Sequence, residues 1–164
     1  MGLPVDFPVP GPSTPGEDPA ADAATAWSAI ARLFLSQQDE REKIAADLGL
    51  TLTELFPLFH LVADHGTSQR DLATLWSCDP SWVTNRIDRL EELGLAERRV
   101  SPTDRRVKEV WLTTDGNGRR AKAMHAFAEA PAALADLPAE DLADLARILA
   151  KLDLGDGPAG PFAR

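Results

Sequence analysis

The spacing of apolar positions changes several times along the chain, and each change marks an element. From Asp22 to about Leu48, Trp27, Ile30, Ala31, Phe34 and Leu35 recur three and four residues apart. Ile44, Ala45 and Leu48 resume the stripe after a charged stretch from Asp39 to Lys43. This is a helical period, and Gly49 supplies its stop. A second helix is predicted from Thr53 to His65. Thr53 would cap it, Leu55, Phe56, Phe59 and Val62 would form its apolar face, and Pro57 falls early. Gly66-Thr67-Ser68 interrupts the pattern. Ser68 suits the cap of a short helix from Gln69 to Leu75 that buries Leu72, Ala73 and Leu75. After a tight connection at Ser77 and Cys78, Asp79 caps the next helix and Pro80 presets its first turn. That helix buries Val83, Ile87, Leu90 and Leu93 and ends at Gly94, a residue suited to left-handed backbone.

Two short helices joined by a brief turn form a helix-turn-helix. Beyond Gly94 the pattern becomes extended. In the stretch from Glu97 to Gly116, Val110 and Leu112 fall on one face and Trp111 on the other. A Ser-Pro-Thr-Asp turn separates this strand from an earlier one, and a hairpin after the second helix makes the motif winged. Thr114 or Asp115 starts another helix with Ala121, Met124, Phe127 and Ala128 as its stripe, running to about Ala130. Leu134 and Leu137 come after Pro131. A last helix begins at Pro138-Ala139-Glu140-Asp141, with Leu142, Leu145, Ile148, Leu149 and Leu152 on one face. No internal repeat is present.

The fold class is therefore mainly α (α+β), a winged helix-turn-helix with flanking N- and C-terminal helices. Those helices are more apolar than a winged domain of this size can cover, so they are expected to pack between two copies of the chain. Residues 1–19 hold six prolines and three glycines with little apolar material, and are read as a disordered arm. The expected division is 1–19 arm, 20–50 N-terminal dimerisation helix, 51–113 winged domain, 114–154 C-terminal dimerisation helices and 155–164 flexible tail.

Charge alters this picture. The net charge is −9, which argues against a polyanionic partner until its distribution is read. Residues 66–113 hold eight Lys and Arg against eight Asp and Glu, so the whole excess lies outside them. Within the hairpin, Arg98, Arg99, Arg105, Arg106 and Lys108 crowd around the turn. No apolar run approaches the ~18 residues of a membrane span. The N-terminus has no charged region followed by an apolar core, and the single cysteine, Cys78, fits a reducing cytoplasm.

In a helix-turn-helix the exposed start of the second helix enters the DNA major groove. Here it carries Ser81, Trp82, Thr84, Asn85 and Arg86. Arg86 can pair with guanine and Asn85 with adenine. Arg89, one turn on, suits a phosphate, as do Ser68, Gln69 and Arg70 at a helix N-terminus. Taken singly, each is an ordinary solvated residue; as a set between buried Val83, Ile87 and Leu90 they read as a DNA-facing surface. Trp82 either meets a thymine methyl or folds back on the wing. An arginine-tipped hairpin bearing Arg105, Arg106 and Lys108 suits the minor groove, where negative potential concentrates.

The run from Ser68 to Gly116 resembles the MarR family of bacterial transcriptional regulators, with similarity over roughly Leu52 to Lys122. Its specific parts are the Asp-x-Arg of the wing (Asp104, Arg106), the Gly-Leu-x-Glu-Arg turn (Gly94 to Arg98) and the Val-x-Leu-Thr-x-x-Gly close (Val110 to Gly116). The resemblance implies a homodimer whose winged domains straddle a palindromic operator in double-stranded DNA, with half-sites ~10 bp apart. It implies that Arg106 enters the minor groove and Asp104 orients the wing. It also implies a repressor released by a small-molecule effector bound between the dimer base and the winged domain, where Trp27, Arg32, Phe59, His60 and Trp111 are candidate lining residues. No cofactor or metal is expected. Phosphate loops, nucleophile elbows and Cys/His metal spacings are missing from the sequence, so an enzyme is not expected. Two alternatives stand: a protein-interaction module that has lost specific DNA binding, or a redox regulator acting through Cys78.

Overall fold

The computed structural model describes residue 16 and residues 18–62 and 64–153. The chain divides into two compact units, residues 1–41 and 42–164. The first is built on α1 (Pro19–Ser36). Asp18 caps it, accepting from the backbone N–H of Ala20 at 2.9 Å and of Ala21 at 3.3 Å, and Pro19 occupies the first turn. The helix thus begins before Asp22, on the same Asp-Pro signal as Asp79-Pro80. Of the expected disordered arm, residues 1–15 and 17 lie outside the described residues. The helix expected to run unbroken to Leu48 is two. Gln37 leaves helical geometry (φ −87°, ψ 5°), and α2 runs from Gln38 to Asp47. Arg41 spans the break. Its Nη2 donates to the Phe34 carbonyl at 2.7 Å, and its guanidinium lies 4.1 Å from the Phe34 ring centre. A side chain that reaches freed carbonyls can stabilise a break that apolar spacing does not signal. Trp27, Ile30, Phe34 and Leu35 of α1 are exposed.

The second unit holds the core. α3 (Leu52–His60) is capped by Thr51, not Thr53. The Thr51 hydroxyl accepts from the Glu54 N–H at 3.3 Å, and the Glu54 carboxylate accepts from the Thr51 N–H at 2.7 Å, a reciprocal capping box. Leu55, Leu58 and Phe59 face the core, while Phe56, expected on that face, is exposed. The helix stops at His60, short of the expected His65, because Leu61 turns to extended backbone (ψ 138°) and is itself buried.

α4 (Gln69–Leu75) and α5 (Pro80–Glu92) form the helix-turn-helix, capped by Ser68 and Asp79 as expected. Between them Ser77 takes left-handed backbone (φ 49°), and the Cys78 N–H donates to the Ala73 carbonyl at 3.1 Å. Gly94 (φ +69°) closes α5 in the same way, with Leu95 donating to Leu90 at 2.8 Å. Leu72, Val83, Ile87 and Leu90 are fully buried and join Leu55, Leu58, Leu61 and Leu95 in one core. Leu75, expected inside, is exposed, and Leu93 is only partly buried.

The wing strands are β2 (Ala96–Val100) and β3 (Lys108–Leu112), antiparallel with Arg98 opposite Val110. A two-residue strand β1 (Thr67–Ser68) pairs with the other edge of β3, giving the order β1-β3-β2. No sequence signal marks β1, since its pairing depends on a strand some forty residues away. Val110 and Leu112 are buried and Trp111 is half-buried, as the alternation requires. α6 (Thr114–Ala128) buries Gly116 and Ala123 and packs Met124 and Phe127 against the core. Ala121 and Ala128, expected on that face, are exposed. After the single turn α7 (Ala132–Ala135), α8 (Ala139–Leu149) buries no residue fully, and Ile148, Leu149 and the following Leu152 are exposed. Residues 154–164, including the expected tail, lie outside the described residues. Among the described residues no helix is long and apolar enough to cross a membrane.

Candidate nucleic-acid interface

The start of α5 is held by its cap. Asp79 accepts from the Ser81 N–H at 2.7 Å, and this bonding to Ser81 holds the Asp79 carboxyl below its ordinary range. Ser81, Thr84 and Asn85 are exposed beyond it. Thr84 also ties the two helices together: its hydroxyl donates to the Pro80 carbonyl at 3.0 Å and accepts from Gln69 Nε2 at 3.4 Å. Arg70 is exposed beside Gln69, and both line a shallow groove with Thr74, Cys78, Pro80 and Thr84. Ser68 acts as the cap expected of it. Its hydroxyl donates to the Asp71 carboxylate at 2.7 Å and accepts from the Asp71 N–H at 3.1 Å, so capping occupies it.

Trp82 neither stands free nor folds onto the wing. It is half-buried, edge-on to Trp76 (centroids 5.6 Å, 84°) and to Phe56 (6.0 Å, 76°). His60 completes the cluster, 4.5 Å from Phe56 and 6.0 Å from Trp76, with Nδ1 2.7 Å from the Phe56 carbonyl. Arg86, one turn after Trp82, places its guanidinium carbon 4.8 Å from the Trp82 ring centre.

The basic residues fall into two groups. Arg89, for which a phosphate contact is expected, is paired to Glu54 at 2.7 Å and Glu92 at 3.0 Å, and these carboxylates raise its pKa. Arg98 is paired to Asp88 at 2.7 Å and to Glu91. Arg99 is paired to Glu97 and stacks 5.0 Å from the Trp111 ring centre. These three arginines are neutralised by carboxylates, which removes Arg98 and Arg99 from the basic crowd expected around the turn. Arg105, Arg106 and Lys108 are exposed at the tip and form no ion pair among the described residues. The tip is fixed by Asp104, whose carboxylate accepts from the Arg106 N–H at 2.9 Å, and by Ser101 donating to the Val107 carbonyl at 2.9 Å. The positive charge of the motif without a carboxylate partner among the described residues thus lies on Arg70, Arg86 and the wing tip.

The residues expected to line a ligand cleft are each described in their own unit. Phe59 is a core residue, edge-on to Phe127 at 5.2 Å. His60 is buried in the aromatic cluster, and Trp111 lies beneath Arg99 with its Nε1 buried and unpartnered. Trp27 and Arg32 are exposed on α1. Sequence reading missed Glu54, although its Thr-x-x-Glu spacing is a recognised helix start. It also missed Phe56 and Trp76 as neighbours of Trp82, for which no local signal exists.

Residues 50–108 match the family model described as MarR family. This segment belongs to the MarR family. It runs from just before α3 to the first residue of β3, taking in the capping box, the helix-turn-helix and the wing turn. Solved structures share the fold of the longer chain. The YusO protein from Bacillus subtilis is 26% identical with a TM-score of 0.65, over 82% of this chain and 96% of that one. A variant of S. aureus MepR bound to an oligodeoxyribonucleotide is 24% identical with a TM-score of 0.60, over 76% and 94%. Apo MarR from E. coli is 22% identical with a TM-score of 0.62, also over 76% and 94%. No curated protein matches the chain. The segment that matches the family model contains both the start of α5 and the wing tip.

Proposed function

We propose that this protein is a homodimeric, sequence-specific repressor that reads a palindromic operator with α5 and the wing and is released by a small-molecule effector. The observation that carries the DNA reading is the sorting of arginines. Arg89, Arg98 and Arg99 are paired with carboxylates, while Arg86, Arg105 and Arg106, on the start of α5 and the tip of the hairpin, form no ion pair among the described residues. In this reading Ser81, Thr84, Asn85 and Arg86 meet base edges, Arg106 enters the minor groove, and Arg70, Arg105 and Lys108 meet phosphate. Asp104 acts as support for Arg106 through their hydrogen bond. The S. aureus relative bound to an oligodeoxyribonucleotide supports a DNA partner.

The dimer rests on two unpartnered apolar faces, Trp27, Ile30, Phe34 and Leu35 on α1 and Ile148, Leu149 and Leu152 at the chain's other end. Leaving either in water forfeits burial worth ~25 cal/mol per Å². Residues 20–50 and 114–154 would then form the dimer base, and an effector would act by changing the spacing of the two winged domains. A cytoplasmic location follows from a DNA partner.

The test is selection of duplexes from a random-sequence pool by the full-length protein, followed by titration of the enriched duplex. A palindromic consensus bound by two protomers supports the reading. Failure to enrich any sequence, with salt-insensitive binding, would leave a protein-interaction module instead.

A further inference from the structure

The aromatic cluster beside α5 reaches the surface, since Phe56 is exposed and Trp76 and Trp82 are only half-buried. It does fix one thing. Trp82 and Arg86 are four residues apart on α5, so their side chains lie on one helical face. The Arg86 guanidinium carbon sits 4.8 Å from the Trp82 ring centre. Its Nε is buried with no hydrogen-bond partner, and Arg86 forms no ion pair among the described residues. A stack on the indole face is therefore the contact that orients this guanidinium. The indole is braced on two sides, because Trp76 and Phe56 meet it edge-on from two further elements, α4's end and α3.

We infer that Trp82 is a positioning residue: its ring, braced by Phe56 and Trp76, is a platform that holds Arg86 for a guanine edge and so sets sequence preference without touching DNA. This rests on the reading of Arg86 as a base contact. An unrestrained arginine side chain loses rotamer freedom when it is fixed on a base. A platform removes part of that loss before DNA arrives. A stacked tryptophan is the strongest aromatic partner for a guanidinium, and phenylalanine a weaker one.

The experiment uses full-length protein and the duplex enriched from the random pool, against a scrambled duplex of equal length at one salt concentration. The quantity read is the ratio of the two affinities. Arg86→Ala is expected to lower that ratio roughly 5- to 150-fold, the range of a bidentate base contact. Trp82→Leu, which keeps apolar bulk but lacks a π face, is expected to lower it roughly 3- to 10-fold while affinity for the scrambled duplex stays within about twofold. Trp82→Phe should recover part of the loss. In an Arg86→Ala background, Trp82→Leu should have no further effect. An unchanged ratio for Arg86→Ala overturns the base contact itself. A lowered ratio for Arg86→Ala beside an unchanged one for Trp82→Leu, or equal losses in both backgrounds, overturns the platform alone. Should Trp82→Leu fail to fold, the wild-type protein decides. An Arg86 Nε–H proton resonance moved upfield by the indole ring current supports the stack, and an unshifted one overturns it.

Discussion

Arg89 on the recognition helix donates from Nε to the Glu54 carboxylate on α3 at 2.7 Å. The same carboxylate closes the capping box with Thr51. One buried acid therefore caps one helix and anchors the other. Burial pushes the Glu54 pKa up, but the hydrogen bonds from Arg89 and Thr51 outweigh it and the net shift is downward.

A lowered folded-state pKa means the charged form of Glu54 stabilises the fold. That contribution is complete above the ordinary glutamate value and is lost as pH falls through the lowered one. Glu54→Ala is expected to cost about 1–2 kcal/mol at neutral pH, from the cap and the charged hydrogen bond together. Urea unfolding at fixed protein concentration checks this. The gap between variant and wild type should narrow as the pH is taken down through the acid range, and a gap independent of pH would count against the ion pair.

Arg106→Ala is expected to weaken binding to the selected duplex by roughly 10- to 100-fold, with the fold and the dimer unchanged. Gel shift and sedimentation run in parallel measure both. Full affinity in the variant would remove Arg106 from the wing contact.

Lys108→Gln should act differently, as expected of a phosphate contact. Affinity should fall alike for selected and scrambled duplexes, and the slope of log K against log salt should shrink by about one. A loss confined to the selected duplex would make Lys108 a base reader.

Gly116 lies where the start of α6 meets the strand leading into the wing. A Cβ there would stand 1.9 Å from the Leu95 carbonyl oxygen, whereas at Gly118, in the same helix, no described atom beyond its own stretch of helix comes within 4 Å. Gly116→Ala is expected to destabilise by more than about 2 kcal/mol, because backbone cannot yield cheaply. Gly118→Ala should stabilise by about 0.5–1 kcal/mol through helix propensity. Thermal melts of the pair give opposite signs if the close approach is the reason for Gly116.

Ile148→Glu places a charge on the exposed apolar face of α8. If that face joins two copies, sedimentation should show a shift toward monomer, and operator affinity should fall with it. An unchanged dimer would move the interface elsewhere.

Much of the winged motif was legible from the chain alone. Ser68 and Asp79-Pro80 mark the starts of α4 and α5, Gly94 marks the end of α5, and Val110-Trp111-Leu112 alternates as a strand with one face on the core must. These signals are local: a cap, a fixed φ, a missing Cβ or a two-residue period acts on its own few neighbours. The cap of α3 was equally local, yet Thr53 competes with Thr51 unless Glu54 is read as the returning half of the box.

The state of each arginine was not legible. Arg86, Arg89, Arg98 and Arg106 look alike in sequence, but Arg89 and Arg98 are neutralised by acids on the recognition helix and on α3, while Arg86 rests on an indole and Arg106 on nothing but its own turn. The sequence by itself determined the starts of α4 and α5, the end of α5 and the strand pattern of β3, because those preferences are decided within a few residues, but not β1, the break after α1 or the end of α3. Only the tertiary structure decided which positive charges are left without a carboxylate partner among the described residues, because an ion pair or a stack depends on distances between side chains that the fold, and not their spacing along the chain, brings together.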